Sequence, residues 1–307
     1  MLISSDRFGD GQESESLENP QPEKLYFEIN MYESQDYQSK LVIFTDLDGT
    51  LLDLKTYSYD KALPSIEHLR QKGIPIVFCS HKTRAEQEEY RQKLGINDPF
   101  IVENGGAIFI PQDYFPFSFD YHKAENKYQI IELGIPYREI RRVLEQIRAE
   151  VKVNFKGWGD MTAEELAALT GLDREAARRA KKREYDETIN LEGNPEEIDR
   201  VLNAIKQAGL NYAHGGRYYG VMGTNDKGKA VTILSDLYRK LWGKIKTIGL
   251  GDSQNDLPML SAVDMPILVQ KTDGSWEDID LPHLHKVRGI GPEGWTRAIK
   301  GITEGET

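Results

Sequence analysis

The chain has 307 residues, 39% of them hydrophobic and 29% charged, with a formal net charge of −11, which leaves room for a core and a second unit. Its acidic balance argues against non-specific nucleic-acid binding, and no apolar run approaches the length of a membrane span. The start lacks the basic-then-apolar pattern of a secretory signal, and the single cysteine, Cys79, has no partner in the chain, so a reducing cytoplasm and a buried, inert thiol are expected.

Residues 1–39 are polar, rich in Glu, Ser and Gln, and without sustained apolar period; they read as a mobile extension with a short ordered piece around Leu25 to Ile29. An apolar run with β-branched and aromatic residues, Val42-Ile43-Phe44, then leads into Asp46-Leu47-Asp48-Gly49-Thr50. Strand side chains alternate, so Asp46 and Asp48 start out pointing the same way, and Gly49 lets the chain turn off the strand end. Two crowded carboxylates repel, a conflict that a bound Mg²⁺ resolves. One aspartate could then attack phosphorus while the other shuttles a proton.

A helical pattern with Ala62, Ile66 and Leu69 follows, closed by Gly73. A second buried strand over 74–79 ends at Ser80, and Thr83 opens a helix to about Leu94 with Gly95 beyond it. A third apolar run, 99–102, ends at Glu103-Asn104-Gly105-Gly106. This alternation predicts α/β architecture with a parallel sheet, whose ligands sit beyond the carboxyl ends of the strands, where Asp46, Ser80 and Asn104 fall.

From about 115 to 219 the rhythm changes. Helices over 137–151 and 162–185, a strand at 188–191, a helix over 195–208 and a strand at 210–213 read as a separate α/β unit inserted into the first. The sheet then resumes with a helix over 227–242 and a strand over 245–250 that ends in Gly251-Asp252-Ser253-Gln254-Asn255-Asp256. A short helix through Leu260, a strand over 266–269 and a last helix from Pro292 complete the pattern.

Asp252, again at a core strand's end, is placed to complete a Mg²⁺ site with Asp46, and Asn255 and Asp256 could orient the surrounding ligands; taken alone, the same residues read as helix caps. Lys227, at the start of a helix, could screen the repulsion between an aspartyl nucleophile and a phosphate. Ser80 could hydrogen-bond a phosphate oxygen, and Lys82 and Arg84 lie near a helix N-terminus, where anions bind readily.

Asp46-Leu47-Asp48-Gly49-Thr50, Ser80, Lys227 and Gly251-Asp252-Ser253-Gln254-Asn255-Asp256 together resemble the four ordered motifs of the haloacid dehalogenase-like hydrolases. The resemblance implies a Rossmann-like hydrolase core at 40–114 and 220–307 with an α/β cap at 115–219. It makes Asp46 the nucleophile and Asp48 the proton donor and then the base. Asp46, the Asp48 backbone carbonyl and Asp252 would hold Mg²⁺, and Ser80 and Lys227 would grip the phosphoryl group.

A narrower likeness, to the mannosyl-3-phosphoglycerate phosphatases, is carried by Ser80-His81-Lys82-Thr83-Arg84-Ala85-Glu86, Ile101-Val102-Glu103-Asn104-Gly105-Gly106, Arg183-Glu184-Tyr185-Asp186-Glu187 and His214-Gly215-Gly216-Arg217. It implies a small phosphorylated sugar-acid substrate, with Lys82, Asn104, Gly105, Arg183, Glu184, Asp186, His214 and Arg217 as contacts. Residues 137–184 hold twelve Lys/Arg against nine Asp/Glu, and 174–183 carry six basic residues against one acidic, an expected cradle for the substrate's carboxylate. Other sugar phosphates, such as glucosyl-3-phosphoglycerate or sucrose phosphate, a phosphomutase reaction, and a binding protein that has lost catalysis are the alternatives.

Overall fold

A computed structural model describes residues 39–215 and 217–304, so the ordered piece expected near Leu25 lies outside the described residues. The central sheet is parallel, with the strands His285–Ile290, Met265–Gln270, Ile245–Gly251, Lys40–Thr45 and Ile76–Phe78 side by side in that order. Alternation divides the central Lys40–Thr45 strand between two apolar layers. Ile43 faces helices Leu63–Gln71 and Pro292–Glu304 through Ile66, Leu69, Trp295 and Ile299. Val42 and Phe44 face helix Lys227–Trp242 through Ala230, Val231 and Leu234. Each such fully buried apolar side chain contributes roughly 1.5–3 kcal/mol. Cys79 sits in this core, fully buried as expected, and burial pushes its thiol pKa upward into an unreactive range.

The third predicted parallel strand departs from expectation. Among the described residues Phe100–Val102 pairs with the central sheet through a single parallel bridge between Cys79 and Ile101 and otherwise pairs antiparallel with Ala107–Pro111. The cause is local: Glu103 (φ 48°), Asn104 (φ 55°) and Gly105 (φ 86°) are consecutive left-handed residues that fold the strand back on itself. Gly105 is obligatory there, since a Cβ would lie 2.1 Å from the Asp226 carbonyl oxygen. Tyr128–Glu132 and Lys123–Glu125 extend this second sheet, so residues 123–132, expected in the cap, belong to a strand layer shared with Ala107–Pro111.

The inserted unit carries a third, antiparallel sheet in the order Phe155–Gly157, Asp186–Leu191, Tyr218–Met222, Asn211–Gly215. Helices Tyr137–Val151 and Pro195–Gln207 cover one face, burying Ile140, Leu144, Val201 and Ile205 against Phe155, Ile189 and Val221. The single helix predicted over 162–185 is two, Ala163–Thr170 and Arg174–Ala180. Gly171 ends the first in a left-handed cap (φ 80°), and Asp173 starts the second by accepting from the Ala176 amide at 2.7 Å. Among the described residues no helix is long and apolar enough to cross a membrane.

Candidate active site

Parallel register explains how carboxylates far apart in the chain meet. Thr45 lies opposite Leu250 on the neighbouring strand, and the Asp46 amide donates to the Leu250 carbonyl at 2.9 Å. Asp46 therefore leaves its strand beside Gly251, with Asp252 one residue further on. Asp46, Asp252 and Asp256, all buried, bring one carboxylate oxygen each to within 4.8 Å of the others.

The Lys227 ammonium donates to Asp46 Oδ1 and to Asp256 Oδ1, both at 2.7 Å. With all three ionised, the carboxylates exceed the one ammonium by two negative charges in a buried site. Burial pushes the Asp46 pKa up to about 7 against the pull of Lys227. Burial, then Asp256 and Asp46, push Asp252 well above the usual carboxylate range. A divalent cation with oxygen ligands fits this surplus.

The three carboxylates are not equivalent. Asp256 has both oxygens engaged, Oδ1 by Lys227 and Oδ2 by the amides of Asp252 (3.0 Å) and Ser253 (3.2 Å). Asp252 binds the Thr50 hydroxyl through Oδ1 at 3.0 Å, and its Oδ2 faces Gly49. Gly49 has φ 82°, and a Cβ there would fall 2.5 Å from that Oδ2. Gly49→Ala is expected to cost about 1–3 kcal/mol of strain and to push Asp252 aside. A thermal shift on Mg²⁺ addition that falls well below the wild-type shift is the result that checks it.

Asp48, which lines the same cavity as Asp46, meets a different cation. Lys82, also buried, places its ammonium 2.9 Å from Asp48 Oδ2 and 3.5 Å from Glu86, above the rings of Tyr57 and Tyr90. Burial opposes the Lys82 charge, but Asp48 and Glu86 outweigh it and keep the amine protonated. Asp48 Oδ1 is buried without a hydrogen-bond partner. Above these residues opens a cavity of about 620 Å³ whose far wall is the inserted unit.

A family model described as haloacid dehalogenase-like hydrolase matches residues 43–274. The chain belongs to the haloacid dehalogenase-like hydrolases. A Methanococcoides burtonii protein named glucosyl-3-phosphoglycerate/mannosyl-3-phosphoglycerate phosphatase is 52% identical to this hydrolase over 86% of its chain and 97% of the relative. A Pyrococcus furiosus mannosyl-3-phosphoglycerate phosphatase is 43% identical over 74% of this chain and 90% of its own. The structure of the Synechocystis sucrose-phosphatase superposes with a TM-score of 0.56 over 86% of this chain and 98% of its own; at 14% identity that likeness concerns the fold.

In this hydrolase the residues singled out by motif fall in different places. Asp46, Lys227, Asp252 and Asp256 form one buried cluster; Asp48, Lys82, Asn104, Asp186, Arg217 and Asn255 join Asp46 and Asp252 in lining the large cavity. Ser80 is buried at the end of its strand, and its hydroxyl accepts only a long 3.5 Å contact from the Lys82 amide, so its own proton is available. Gly105, Arg183, Glu184 and His214 do not line that cavity. Gly105 is pressed on the Asp226 backbone, Glu184 pairs with Arg84 at 3.0 Å, and His214 stacks on Tyr219 beside a neighbouring cavity.

The residues of the expected cationic cradle also lie outside this cavity, with Arg179 lining a second one. None of the basic residues between 174 and 183 lines the large cavity. Arg174 pairs with Glu164, Arg178 with Glu175, and the buried Arg183 with Asp186. Charge density along a helix does not say which charges neighbours have already neutralised.

Some contributors escaped the motif reading. Tyr57, Trp158, Tyr218 and Lys271 all line the cavity. Lys271 follows the Met265–Gln270 strand directly, so the rule that ligands sit beyond strand ends was the signal for it. Nothing in the local sequence marks the three aromatics. Glu103 was quoted only within a motif, yet it ties the two units together. Fully buried, its carboxyl group accepts from the consecutive amides of Glu184 (3.0 Å), Tyr185 (2.7 Å) and Asp186 (2.8 Å). Glu103→Ala strands these donors and is expected to lower stability by about 3 kcal/mol, read from urea denaturation midpoints.

Proposed function

We propose that the protein is a Mg²⁺-dependent phosphatase of hexosyl-3-phosphoglycerates, with mannosyl-3-phosphoglycerate as substrate, releasing mannosylglycerate and phosphate through an aspartyl-phosphate on Asp46. The observation that carries the reading is the meeting of Asp46, Lys227 and Asp252 in one buried cluster with Asp48 at the mouth of the same cavity.

An Asp46 carboxylate oxygen attacks phosphorus, and the bond from phosphorus to the glycerate oxygen breaks. Asp48 gives its proton to that departing oxygen and, as a carboxylate, then takes one from water. The water oxygen attacks the aspartyl-phosphate, the bond from Asp46 to phosphorus breaks, and inorganic phosphate leaves with Asp46 restored. Lys227 and the Ser80 hydroxyl hold the phosphoryl oxygens. Asp46, Asp252 and the Asp48 carbonyl would hold Mg²⁺, which supplies positive charge to neutralise the phosphoryl oxygens when bound.

The relative at 52% identity is named for both the glucosyl and the mannosyl compound, so turnover of glucosyl-3-phosphoglycerate is part of this reading. A free, buried thiol suits the reducing cytoplasm in which such an enzyme would work. Phosphate release from mannosyl-3-phosphoglycerate, glucosyl-3-phosphoglycerate and sucrose phosphate, with Mg²⁺ and with chelator, tests it. Turnover of the first two that chelation abolishes is expected; a preference for sucrose phosphate, or turnover indifferent to chelator, overturns the assignment.

A further inference from the structure

Tyr57 stands in a backbone conformation that its side chain does not favour. Its φ is 56°, in the left-handed region that suits glycine or asparagine and strains a bulky ring. The turn that imposes this φ is built by Asp53. Its Oδ1 accepts from the amides of Lys55 (3.0 Å) and Thr56 (2.8 Å) and from the Thr56 hydroxyl (2.9 Å). The Asp53 carbonyl accepts from the Tyr57 amide and the Asp53 amide donates to the Ser58 carbonyl, both at 2.8 Å. A strained residue held on so many sides points to a use for its side chain.

That side chain lies beside the residue that must hand over the proton. Tyr57 lines the large cavity together with Asp46 and Asp48. The Lys82 ammonium stands 5.1 Å from the centre of its ring and 2.9 Å from Asp48 Oδ2. The side chain is half-buried, and its hydroxyl, though not enclosed, makes no hydrogen bond among the described residues. Burial, then Asp48, raise its pKa above the ordinary tyrosine value, so the hydroxyl keeps its proton; the cations that act on it are Lys82 and, from the inserted unit, Arg217. It is a donor without an acceptor, open to a ligand, with positive charge nearby.

The substrate dictates what such a donor meets. Asp48 has to reach the oxygen that joins phosphorus to the glycerate, so the neighbouring Tyr57 faces the glycerate's own substituents. One of these is a neutral glycoside and the other a carboxylate, and a donor flanked by cations favours the charged acceptor.

We infer that Tyr57 is a substrate-binding residue whose hydroxyl donates to the carboxylate of the glycerate, and that the turn built by Asp53 holds the ring in place for that contact. The inference rests on the phosphatase reading above and deepens it. It makes Tyr57 a determinant of the preference for phosphoglycerates over phosphorylated glycerols.

The experiment compares kcat/KM for mannosyl-3-phosphoglycerate with kcat/KM for the same glycoside carrying a hydroxymethyl group in place of the carboxylate, in the wild type and in Tyr57→Phe. Phenylalanine keeps the ring beside Lys82 and removes the donor alone. KM for the carboxylate substrate is expected to rise about 10- to 100-fold with kcat little changed, while the hydroxymethyl analogue is turned over as before. Where Tyr57→Phe fails to fold, Tyr57→Gly, which takes the left-handed turn without strain, carries the same comparison.

A variant that keeps the wild-type preference, or that slows both substrates alike, overturns the assignment of Tyr57. So does a wild type that does not distinguish the carboxylate from the hydroxymethyl group. A wild type that releases phosphate from neither compound, or that prefers sucrose phosphate, overturns the substrate reading itself and the role of Tyr57 with it, and the wild type alone tells the two failures apart.

Discussion

Asp46→Asn should abolish phosphate release, by about 10⁴-fold or more, while leaving a folded protein. The second half of that expectation comes from electrostatics. Burial already lifts the Asp46 pKa to about 7, because its charged form sits unsolvated beside Asp256 and Asp48 with Lys227 only partly compensating. A carboxyl with a folded-state pKa raised above the unfolded value of 3.8 stabilises the metal-free protein fully only below that value, and this contribution is lost as pH rises through about 7. A neutral amide avoids the loss. Metal-free Asp46→Asn should therefore melt at or above the wild-type temperature, with the advantage growing from pH 5 to pH 8. Its stabilisation by Mg²⁺ should shrink, since one ligand is gone. Thermal melts across that pH range, beside acid-quench trapping of the phosphorylated enzyme, check both halves. Trapped phosphate on the Asp46→Asn protein would move the nucleophile elsewhere.

Lys227→Met should be costly in a different way. The ammonium is 1% exposed, bonds two carboxylates at 2.7 Å, and is the one positive group in direct contact with the acidic cluster among the described residues. Removing it leaves like charges buried together, a loss of about 3–5 kcal/mol at neutral pH. Turnover should fall by about 10³-fold, because the phosphoryl oxygens lose their fixed cation. The discriminating measurement is the response to Mg²⁺. A more negative site gains more from a divalent ion, so the melting temperature of the variant should rise by several degrees more than that of the wild type on the same addition. A variant as stable as wild type without metal would show that the carboxylates do not depend on Lys227.

What could be read from the chain was whatever a short window records. The run before Asp46, the helix Lys227–Trp242 and the strand Ile245–Gly251 are continuous apolar or periodic segments, and their ends carry the acidic motifs. Lys123–Glu125 and His285–Ile290 carry no continuous apolar run, and their strand character comes from the neighbours they pair with. Arg183 shows a limit of another kind. Its residue type suggested a substrate anion, and its actual partner, Asp186, lies three residues along, where no motif distinguishes a pair already made from a charge left open. The reversal at 103–105 was invisible because only one of its three left-handed residues is glycine.

The clasp of Glu103 on three successive amides has a consequence for motion. A swing of the inserted unit that opened the cavity at this seam would have to break all three bonds at once, so the amide protons of Glu184, Tyr185 and Asp186 exchange with solvent only when that seam parts. Their deuterium uptake is thus a built-in clock for separation of the two units, and a ligand bridging both should slow these three sites together.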